Sequence, residues 1–201
     1  MLFLHQTVTH LHFNLNRPIH LARRDVFFEK AVELLYMPFQ EMDAPSRLGH
    51  VDRVLQLLNT SQHHAFFATR STRATTQERD FLHFLKLISH NVQSAHAMTQ
   101  HQQHLEGEES FLCQFLSAKP EECVLPAMHY RRRADDILQG LWHLLRLAHK
   151  PYRELQQANL SSLDEDERAR YRKAYQSYRE DLSMDGRTPA AVEAEVKAAS
   201  G

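Results

Sequence analysis

The stretch Thr75–Gly107, TTQERDFLHFLKLISHNVQSAHAMTQHQQHLEG, decides the fold that the sequence predicts. Thr75 and Glu78 have the S/T-x-x-E spacing of a capping box, which predicts that a helix begins here. Gly107 is suited to end this helix in a left-handed backbone conformation. A helix of this length would span about 45 Å, so we expect shorter helices to pack around it.

The apolar residues of this stretch repeat with helical spacing and fall on one arc of a helical wheel. They are Phe81, Leu85, Ile88, Val92 and Ala95, followed by Thr99. His83, His90 and His101 fall on the opposite arc, together with Glu108. The wheel therefore predicts a core face and, opposite to it, an outer face that is rich in histidine.

A metal site is one interpretation of the histidines. His101, His104 and Glu108 stand at i, i+3 and i+7, a spacing that can bring three ligands to one ion. A solvated outer face is the favoured interpretation, because the row lies opposite the apolar arc and Glu108 follows the glycine stop. A metal- or haem-binding bundle that uses His101 and His104 is therefore an alternative function, and the sequence indicates no particular cofactor.

The composition predicts an all-α protein. Only five of the 201 residues are glycine, and the apolar residues repeat mostly with helical spacing. We therefore predict a multi-helix bundle of about six to eight helices, built on residues 25–37, 76–106 and 127–149. The helices over 76–106 and 127–149 are the expected antiparallel core pair.

The N-terminal segment, residues 1–17, is ambiguous between strand and helix. Apolar and polar residues alternate in its second half, which is a strand pattern. The apolar residues concerned are Leu11, Phe13 and Leu15. Apolar residues at positions 4, 8, 11 and 15 fit a helix equally well. Pro18 is expected to break the segment, and Asp25 is expected to cap the helix that follows.

Polar and proline-containing segments predict the remaining breaks. Residues 60–75 are the least structured interior segment, and we expect them to form a loop. Pro151 is expected to end the helix over 127–149. The capping-box spacing of Ser162 and Glu165 predicts that a charged helix begins there.

These breaks predict three parts of the chain. They are an N-terminal arm (1–24), a helical core domain (25–158) and a C-terminal charged helix with a tail (159–201).

The chain is nearly neutral overall, with 24 Lys and Arg residues against 25 Asp and Glu residues. This balance provides no general basic field that would attract nucleic acid. The 15 histidines are the exception, because protonating all of them would change the formal net charge from −1 to +14. Histidine titrates near neutral pH, so we expect solubility and self-association to change between about pH 7.5 and 5.5.

Two features predict a cytoplasmic protein. Cys113 and Cys123 do not form a C-x-x-C motif and are expected to be reduced thiols. The opening MLFL is too short for the apolar region of a signal peptide, and no apolar run approaches the roughly 18 residues of a membrane span. We therefore expect no membrane association.

Catalytic motifs are absent from the sequence. It contains no G-x-S-x-G, Walker A, G-x-G-x-x-G or H-E-x-x-H motif. The E-x-x-H pair of di-iron helical bundles is missing as well. A non-enzymatic protein is therefore expected.

A basic cluster supports nucleic-acid binding as a further alternative function. Its residues are Arg131, Arg132, Arg133, Arg146, Lys150 and Arg153. Three successive arginines fan around a helix, so at most two of them share a face, and Asp135 and Asp136 can neutralise them. A solvated helix end that pairs its own charges is therefore favoured over a phosphate-binding surface.

The leading prediction for function is a non-enzymatic interaction or adaptor protein, which forms a homo-oligomer or binds another protein. We expect its contact surfaces on the N-terminal segment and on one stripe of the C-terminal helix. The residues concerned are Leu11, Phe13, Leu15, Tyr171, Tyr175 and Tyr178. The tyrosines predict a docking stripe, within the chain or across a dimer, rather than a platform for nucleic-acid bases.

Overall fold

The computed structural model describes residues 2–36, 42–94, 111–119 and 134–184, which form six helices and no strand. The helices are α1 (Leu2–Leu35), α2 (Ala44–Thr69), α3 (Thr76–Ser94), α4 (residues 111–116), α5 (Ala134–Ser162) and α6 (Glu165–Met184). The predicted all-α bundle is confirmed, and the ambiguous N-terminal segment is helical.

Helix α3 begins with the capping box that the sequence predicts. The backbone N–H of Glu78 donates to the Thr75 hydroxyl oxygen at 3.2 Å, and the Thr75 N–H donates to the Glu78 carboxylate at 2.6 Å. These bonds satisfy donors that the start of a helix leaves unpaired. The predicted continuation beyond Ser94, to Gly107, lies outside the described residues.

The apolar arc of α3 faces the core. Its fully buried residues include Phe81, Leu85 and Ile88. His83 and His90 on the opposite side are exposed. The predicted core and outer faces are therefore confirmed over the described part of this helix.

Helix α1 is continuous for 34 residues and contains Pro18. The predicted break at Arg17-Pro18 was wrong, and Asp25 lies inside the helix rather than capping a new one. An interior proline costs a helix about 3 kcal/mol, because it removes one backbone hydrogen bond and crowds the preceding turn. Packing offsets this cost, since Pro18 is buried and the nearby Leu21 and Ala22 belong to an apolar cluster.

Helix α2 continues to Thr69, so the predicted loop over 60–75 was wrong for most of its length. Buried positions repeat with helical spacing along this segment: Ser61, Ala65 and Ala68. The Ser61 hydroxyl donates to the carbonyl oxygen of Arg24 at 2.9 Å. A polar residue thus occupies a core position by bonding to the neighbouring helix. The pattern of apolar residues therefore does not show the helical period in this segment.

Helix α5 is likewise continuous through Pro151, which was wrongly predicted to end it. The cap of α6 is Asp164, two residues later than the predicted box of Ser162 and Glu165, which was also wrong. The Glu167 N–H donates to the Asp164 carboxylate at 2.8 Å, and the Asp164 N–H donates to the Glu167 carboxylate at 3.1 Å.

The division of the chain into an arm, a core domain and a tail stays a prediction. Helix α1 crosses the first boundary, at residue 24, and α5 crosses the second, at residue 158, without interruption.

Among the described helices, the most extensive pair is α1 with α2. The predicted antiparallel core pair of 76–106 with 127–149 lies partly outside the described residues, and its described parts, α3 and α5, also contact each other. Helices α1 and α2 run antiparallel. His50, in the early part of α2, bonds to the carbonyl oxygen of Leu34 near the end of α1 at 2.8 Å. The Thr72 N–H, just after α2, donates to Asn14 of α1 at 3.1 Å. Helices α3, α4, α5 and α6 contribute to the same apolar core.

Replacing Asp164 with Ala is expected to destabilise the protein by about 1 kcal/mol, because the start of α6 loses its side-chain acceptor. Ser162→Ala is the control and is expected to cost less than about 0.5 kcal/mol, since that hydroxyl bonds only to the Asn159 carbonyl at the end of α5. Urea unfolding followed by circular dichroism measures both losses. Equal losses would contradict the assignment of the cap.

Candidate functional site

Charged side chains are buried along α1. Arg17 and Arg24 are each 1% exposed, and Asp25 is fully buried. Nη2 of Arg17 lies 2.9 Å from Oε1 of Glu78, in the first turn of α3. Nη2 of Arg24 lies 2.7 Å from Oδ1 of Asp25. Each buried cation therefore has a buried carboxylate as its partner, as the cost of burying a charge requires.

Asn159 of α5 joins the two ion pairs. With its amide oriented to suit its neighbours, the nitrogen donates to Oε1 of Glu78 at 3.3 Å. The amide oxygen then accepts from Nη1 and Nη2 of Arg24 at 3.1 and 3.0 Å. Because Asn159 is itself buried, this network connects α1 to both α3 and α5 in the interior of the bundle.

The tyrosine stripe of α6 is bonded to α1 of the same chain. The Tyr171 hydroxyl donates to Oδ2 of Asp25 at 2.7 Å, and the Tyr175 hydroxyl donates to the carboxylate of Glu29. Burial raises the pKa of both phenols, and the adjacent carboxylates raise it further, so both hydroxyls stay protonated and act as donors. The docking partner that the structure provides for these tyrosines is therefore α1.

Glu29 lies in a cleft of about 290 Å³ between α1, α5 and α6. Besides the bond from Tyr175, its carboxylate accepts hydrogen bonds from Tyr152 at 2.9 Å, Gln156 at 3.1 Å and Arg153 at 3.3 Å. All four donors belong to α5 or α6. The carboxylate therefore holds these two helices on α1.

Tyr178, the third tyrosine of the stripe, also contacts α1. The guanidinium carbon of Arg23 lies 4.3 Å from the centre of the Tyr178 ring, within cation–π range.

A pair of histidines joins α1 to α2. Nδ1 of His20 and Nδ1 of His64 are 3.3 Å apart, so one imidazole donates a hydrogen bond to the other. The rings stack with Phe67 and Phe27. Burial, with Arg23 as the second cause, lowers the pKa of His20 to about 4 and that of His64 to about 3. These two histidines therefore do not contribute to the predicted change of charge near neutral pH.

The described helices that pack on α1 end near Asn14. Asn14 bonds to the turn between α2 and α3 through Thr72, and Arg170 in the second turn of α6 donates to the carbonyl oxygen of Leu15 at 2.9 Å. Because α2 runs antiparallel to α1 and ends at this level, its contact with the part of α1 that precedes Asn14 is at Phe13, which stacks on Phe67. Residues 2–13, here called the α1 overhang, continue the helix for about 18 Å past the level at which the other described helices end.

An apolar seam runs along the overhang and its base. Leu11 is 59% exposed and Leu15 is 52% exposed. With the apolar residues at positions 4 and 8, they have the alternating spacing of four and three that marks the a and d positions of a coiled coil. The same face of α1 continues to Ala22 and Glu29, which contact tyrosines of α6. Helix α6 therefore covers one half of this face, and Leu11 and Leu15 lie on the other half.

The overhang has an unusual charge pattern. Residues 1–16 contain no Asp, Glu, Lys or Arg, and the histidines at positions 5, 10 and 12 are their only titratable side chains. An apolar seam on a helix without acidic or permanently basic residues is suited to contact with another apolar helix.

The six residues predicted to form interfaces have different environments. Leu11 and Leu15 are exposed, whereas Phe13 is partly buried and stacks on Phe67 of α2 with ring centres 6.1 Å apart. The three tyrosines contact α1, as described above. Leu11 and Leu15 are therefore the predicted residues that present large exposed apolar side chains.

The predicted metal ligands His101, His104 and Glu108 lie outside the described residues, so the metal site stays a prediction. Within the parts of the chain that the structure describes, no group of three or more His, Cys, Asp and Glu side chains could hold a metal ion.

Three of the predicted nucleic-acid-binding residues are described, and each has a local partner. Arg146 lies 5.2 Å from the Trp142 ring, Nζ of Lys150 lies 3.9 Å from Glu154, and Arg153 bonds to α1 as described above. The other three, Arg131, Arg132 and Arg133, lie outside the described residues. The common phosphate-binding surface therefore stays a prediction.

Neither the buried network nor the histidine pair was predicted from the sequence. Asp25 was interpreted as a helix cap, although one feature of the sequence indicates that it is part of a buried ion pair. Arg24 and Asp25 are adjacent opposite charges between Leu21 and Phe28, where a largely apolar helix is expected to be buried on most sides. The partners Glu78 and His64 are distant in the sequence, so nothing local indicates the pairing.

The comparisons with known proteins do not assign a family. The sequence matches no protein-family model, and no curated protein or solved structure shows significant similarity to it. Among the described helices, none is both long and apolar enough to cross a lipid bilayer.

Glu78→Gln is expected to destabilise the protein by about 3 kcal/mol, because it leaves the charge of Arg17 buried without a counter-charge. Glu167→Gln is a closely matched control. Glu167 also completes a capping box and also pairs with an arginine, but that partner, Arg73, is 43% exposed. Its loss should therefore cost no more than about 1 kcal/mol. Equal free energies of unfolding for the two variants would refute a special role for the buried pair.

Acid is expected to destabilise the fold through His20 and His64. Their pKa in the folded protein is below the ordinary histidine value of 6.5, so the unfolded chain binds more protons as the pH falls. The free energy of unfolding should be highest above about pH 6.5 and should decrease between about pH 6.5 and 4. Urea unfolding at a series of pH values measures this decrease.

The variant His64→Phe should reduce this dependence on pH, because it removes one of the two imidazoles whose pKa is lowered by burial. His90→Gln, which replaces an exposed histidine of α3, should leave the dependence unchanged. The same slope of unfolding free energy against pH in all three proteins would show that the pair does not act as described.

Proposed function

We propose that this protein is a non-enzymatic helical interaction protein that self-associates through the α1 overhang, in the simplest case as a homodimer. The observation that carries the proposal is the exposure of Leu11 and Leu15 on a helix that extends past its own bundle. Helices in proteins are stabilised mostly by the packing of an apolar face, so a partner that covers these leucines would stabilise this part of α1.

A second copy of the chain suits the overhang better than a charged partner does. Residues 1–16 lack acidic side chains, lysine and arginine, so they offer no permanent ion pairs to a nucleic acid or an acidic peptide. They have apolar residues at a and d positions, and helices with this pattern pack on one another through these residues. A two-fold dimer would bury Leu11 and Leu15 of both copies, and each fully buried leucine would contribute about 1.5–3 kcal/mol.

The length of the seam indicates the strength of this association. It covers only about two heptads, whereas stable coiled coils usually need about three to four. We therefore expect dimerisation that depends on concentration in the micromolar range. The proposal also includes a cytoplasmic location, since a reducing compartment suits the free thiol of Cys113.

The double variant Leu11→Gln/Leu15→Gln is expected to be monomeric at concentrations at which the natural sequence is dimeric. Glutamine keeps a good helix propensity, so the change removes the apolar seam without removing the helix. Sedimentation velocity at pH 7.5, over about 1–100 µM protein, measures the fraction of dimer.

Tyr36→Gln is the matched control, because Tyr36 is 62% exposed at the opposite end of α1. Its dimerisation should equal that of the natural sequence. A natural sequence that sediments as a monomer over the whole concentration range would refute the proposal. Dimerisation that is unchanged in the double leucine variant would refute the assigned surface.

A further inference from the structure

We propose that the second copy of the chain lies antiparallel to the first, with its overhang on α1 up to the point at which α6 begins. The inference rests on the proposed function, because it names the part of the partner that covers the exposed leucines. Its basis is that one stripe of α1 contains both these leucines and the residues that α6 covers.

This stripe runs along the overhang and continues beneath α6. Five of its residues fall within about 80° of one another on a helical wheel: Leu11, Leu15, Ala22, Asp25 and Glu29. The later residues contact α6, because Tyr171 bonds to Asp25 and Tyr175 bonds to Glu29. The leucines are exposed, so α6 covers only the second half of the stripe.

Helix α6 runs in the same direction as α1 and begins close to the base of the overhang. From the Tyr171–Asp25 bond to the bond between Tyr175 and Glu29, both helices advance by four residues. Extended backwards, this spacing places Glu165, the first residue of α6, beside about residue 19 of α1. From the first turn of α1 to Leu15, about 20 Å of the stripe therefore precedes α6.

A parallel partner does not fit this stripe. Helices that pack together have axes about 8–10 Å apart. Beyond Leu15, the α1 helix of a parallel partner would therefore enter the space that α6 occupies. It cannot bend away there, because α1 is one continuous helix from Leu2 to Leu35. Helices that cross at a steep angle avoid α6, but they touch over about one turn and would leave one of the two leucines exposed.

An antiparallel partner fits because its overhang ends where α6 begins. When Leu15 lies opposite position 4 of the partner, and Leu11 lies opposite position 8, position 2 of the partner lies beside about residue 17. Helix α6 covers the same side of α1 from about residue 19 onward. The overhang of each copy, about 18 Å long, therefore fills the exposed part of the stripe on the other copy.

The acidic start of α6 suits the approach of the partner's helix. The first turn of α6 contains Glu165, Asp166 and Glu167, whereas the first turn of α1 contains no acidic residue. Glu167 is paired with Arg73, and Arg170 is bonded to a backbone carbonyl oxygen of α1. The side chains of Glu165 and Asp166 are exposed. Because a helix carries a partial positive charge at its N-terminal end, these two carboxylates would stabilise the start of the partner's α1.

Energy transfer between two labelled copies tests the orientation. Donor and acceptor dyes are attached separately at Tyr36→Cys, in a chain that also carries Cys113→Ala and Cys123→Ala, and the two preparations are mixed at a concentration at which sedimentation velocity shows a dimer. In the antiparallel dimer the labels are about 80 Å apart, because each lies about 40 Å along α1 from the two-fold axis. In a parallel dimer they lie side by side, less than about 40 Å apart. With a dye pair whose half-transfer distance lies between these lengths, little transfer is expected.

Small-angle X-ray scattering of the unlabelled chain tests the same orientation without cysteine replacement. Helix α1 is about 50 Å long, and two such helices that overlap antiparallel along their overhangs extend over about 80 Å. The maximum dimension of the dimer should therefore exceed that of the Leu11→Gln/Leu15→Gln variant by about 30 Å. A parallel dimer would be wider than this variant but little longer.

The variant Glu165→Gln/Asp166→Asn is expected to raise the dissociation constant about threefold, because it removes the carboxylates beside the start of the partner's helix. Glu180→Gln/Asp181→Asn is the matched control, since it replaces two adjacent exposed acids in the last turns of the same helix. It should change the dissociation constant by less than about 1.5-fold. Sedimentation equilibrium measures both constants.

Strong transfer between the labels, or a dimer no longer than the double leucine variant, would overturn the inference and leave the proposed function standing. Equal dissociation constants for the two variants of α6 would also overturn it, because the partner's helix would then not begin beside Glu165. A chain that is monomeric over the whole concentration range would overturn both the inference and the proposed function.

Discussion

The burial of charge on α1 is the constraint on which the rest of the structure depends. Arg17 and Arg24 are inside the bundle, so each must have a carboxylate at hydrogen-bonding distance, and Glu78 and Asp25 provide them. Sliding or rotating α1 against α3 would leave one of these charges unpaired at a cost of several kcal/mol. We infer that the Arg17–Glu78 pair, which joins two helices, specifies their arrangement more than it adds to net stability.

The same constraint determines which part of α1 is exposed. The ion pairs, the Asn14 bond to the α2–α3 turn and the tyrosine bonds from α6 place the ends of three helices beside the same short section of α1. Apart from Phe13, which stacks on Phe67, the residues of α1 that precede Asn14 extend beyond the ends of these described helices. The exposure of Leu11 is thus a consequence of polar bonds made elsewhere, because those bonds determine where the covering helices stop.

Local rules of helix formation predicted some elements well and failed where packing opposed them. The capping box at Thr75 was correct, since its atoms lie within one turn and need no distant partner. The breaks at Pro18 and Pro151 were wrong, because the penalty of an interior proline is smaller than the burial gained by continuing the helix. The predicted loop over 60–75 was wrong for a different reason, because Ser61 is a polar residue that occupies a core position by bonding to α1.

The sequence by itself determined the all-α class, the start and the two faces of α3, and an N-terminal segment whose only titratable groups are histidines. These properties depend on composition and on spacing within a few turns. Only the tertiary structure decided that Tyr171 points inward to Asp25 while Leu11 and Leu15 are exposed. Both stripes have the same periodicity, and exposure depends on which distant helix covers each of them, information that no local pattern contains.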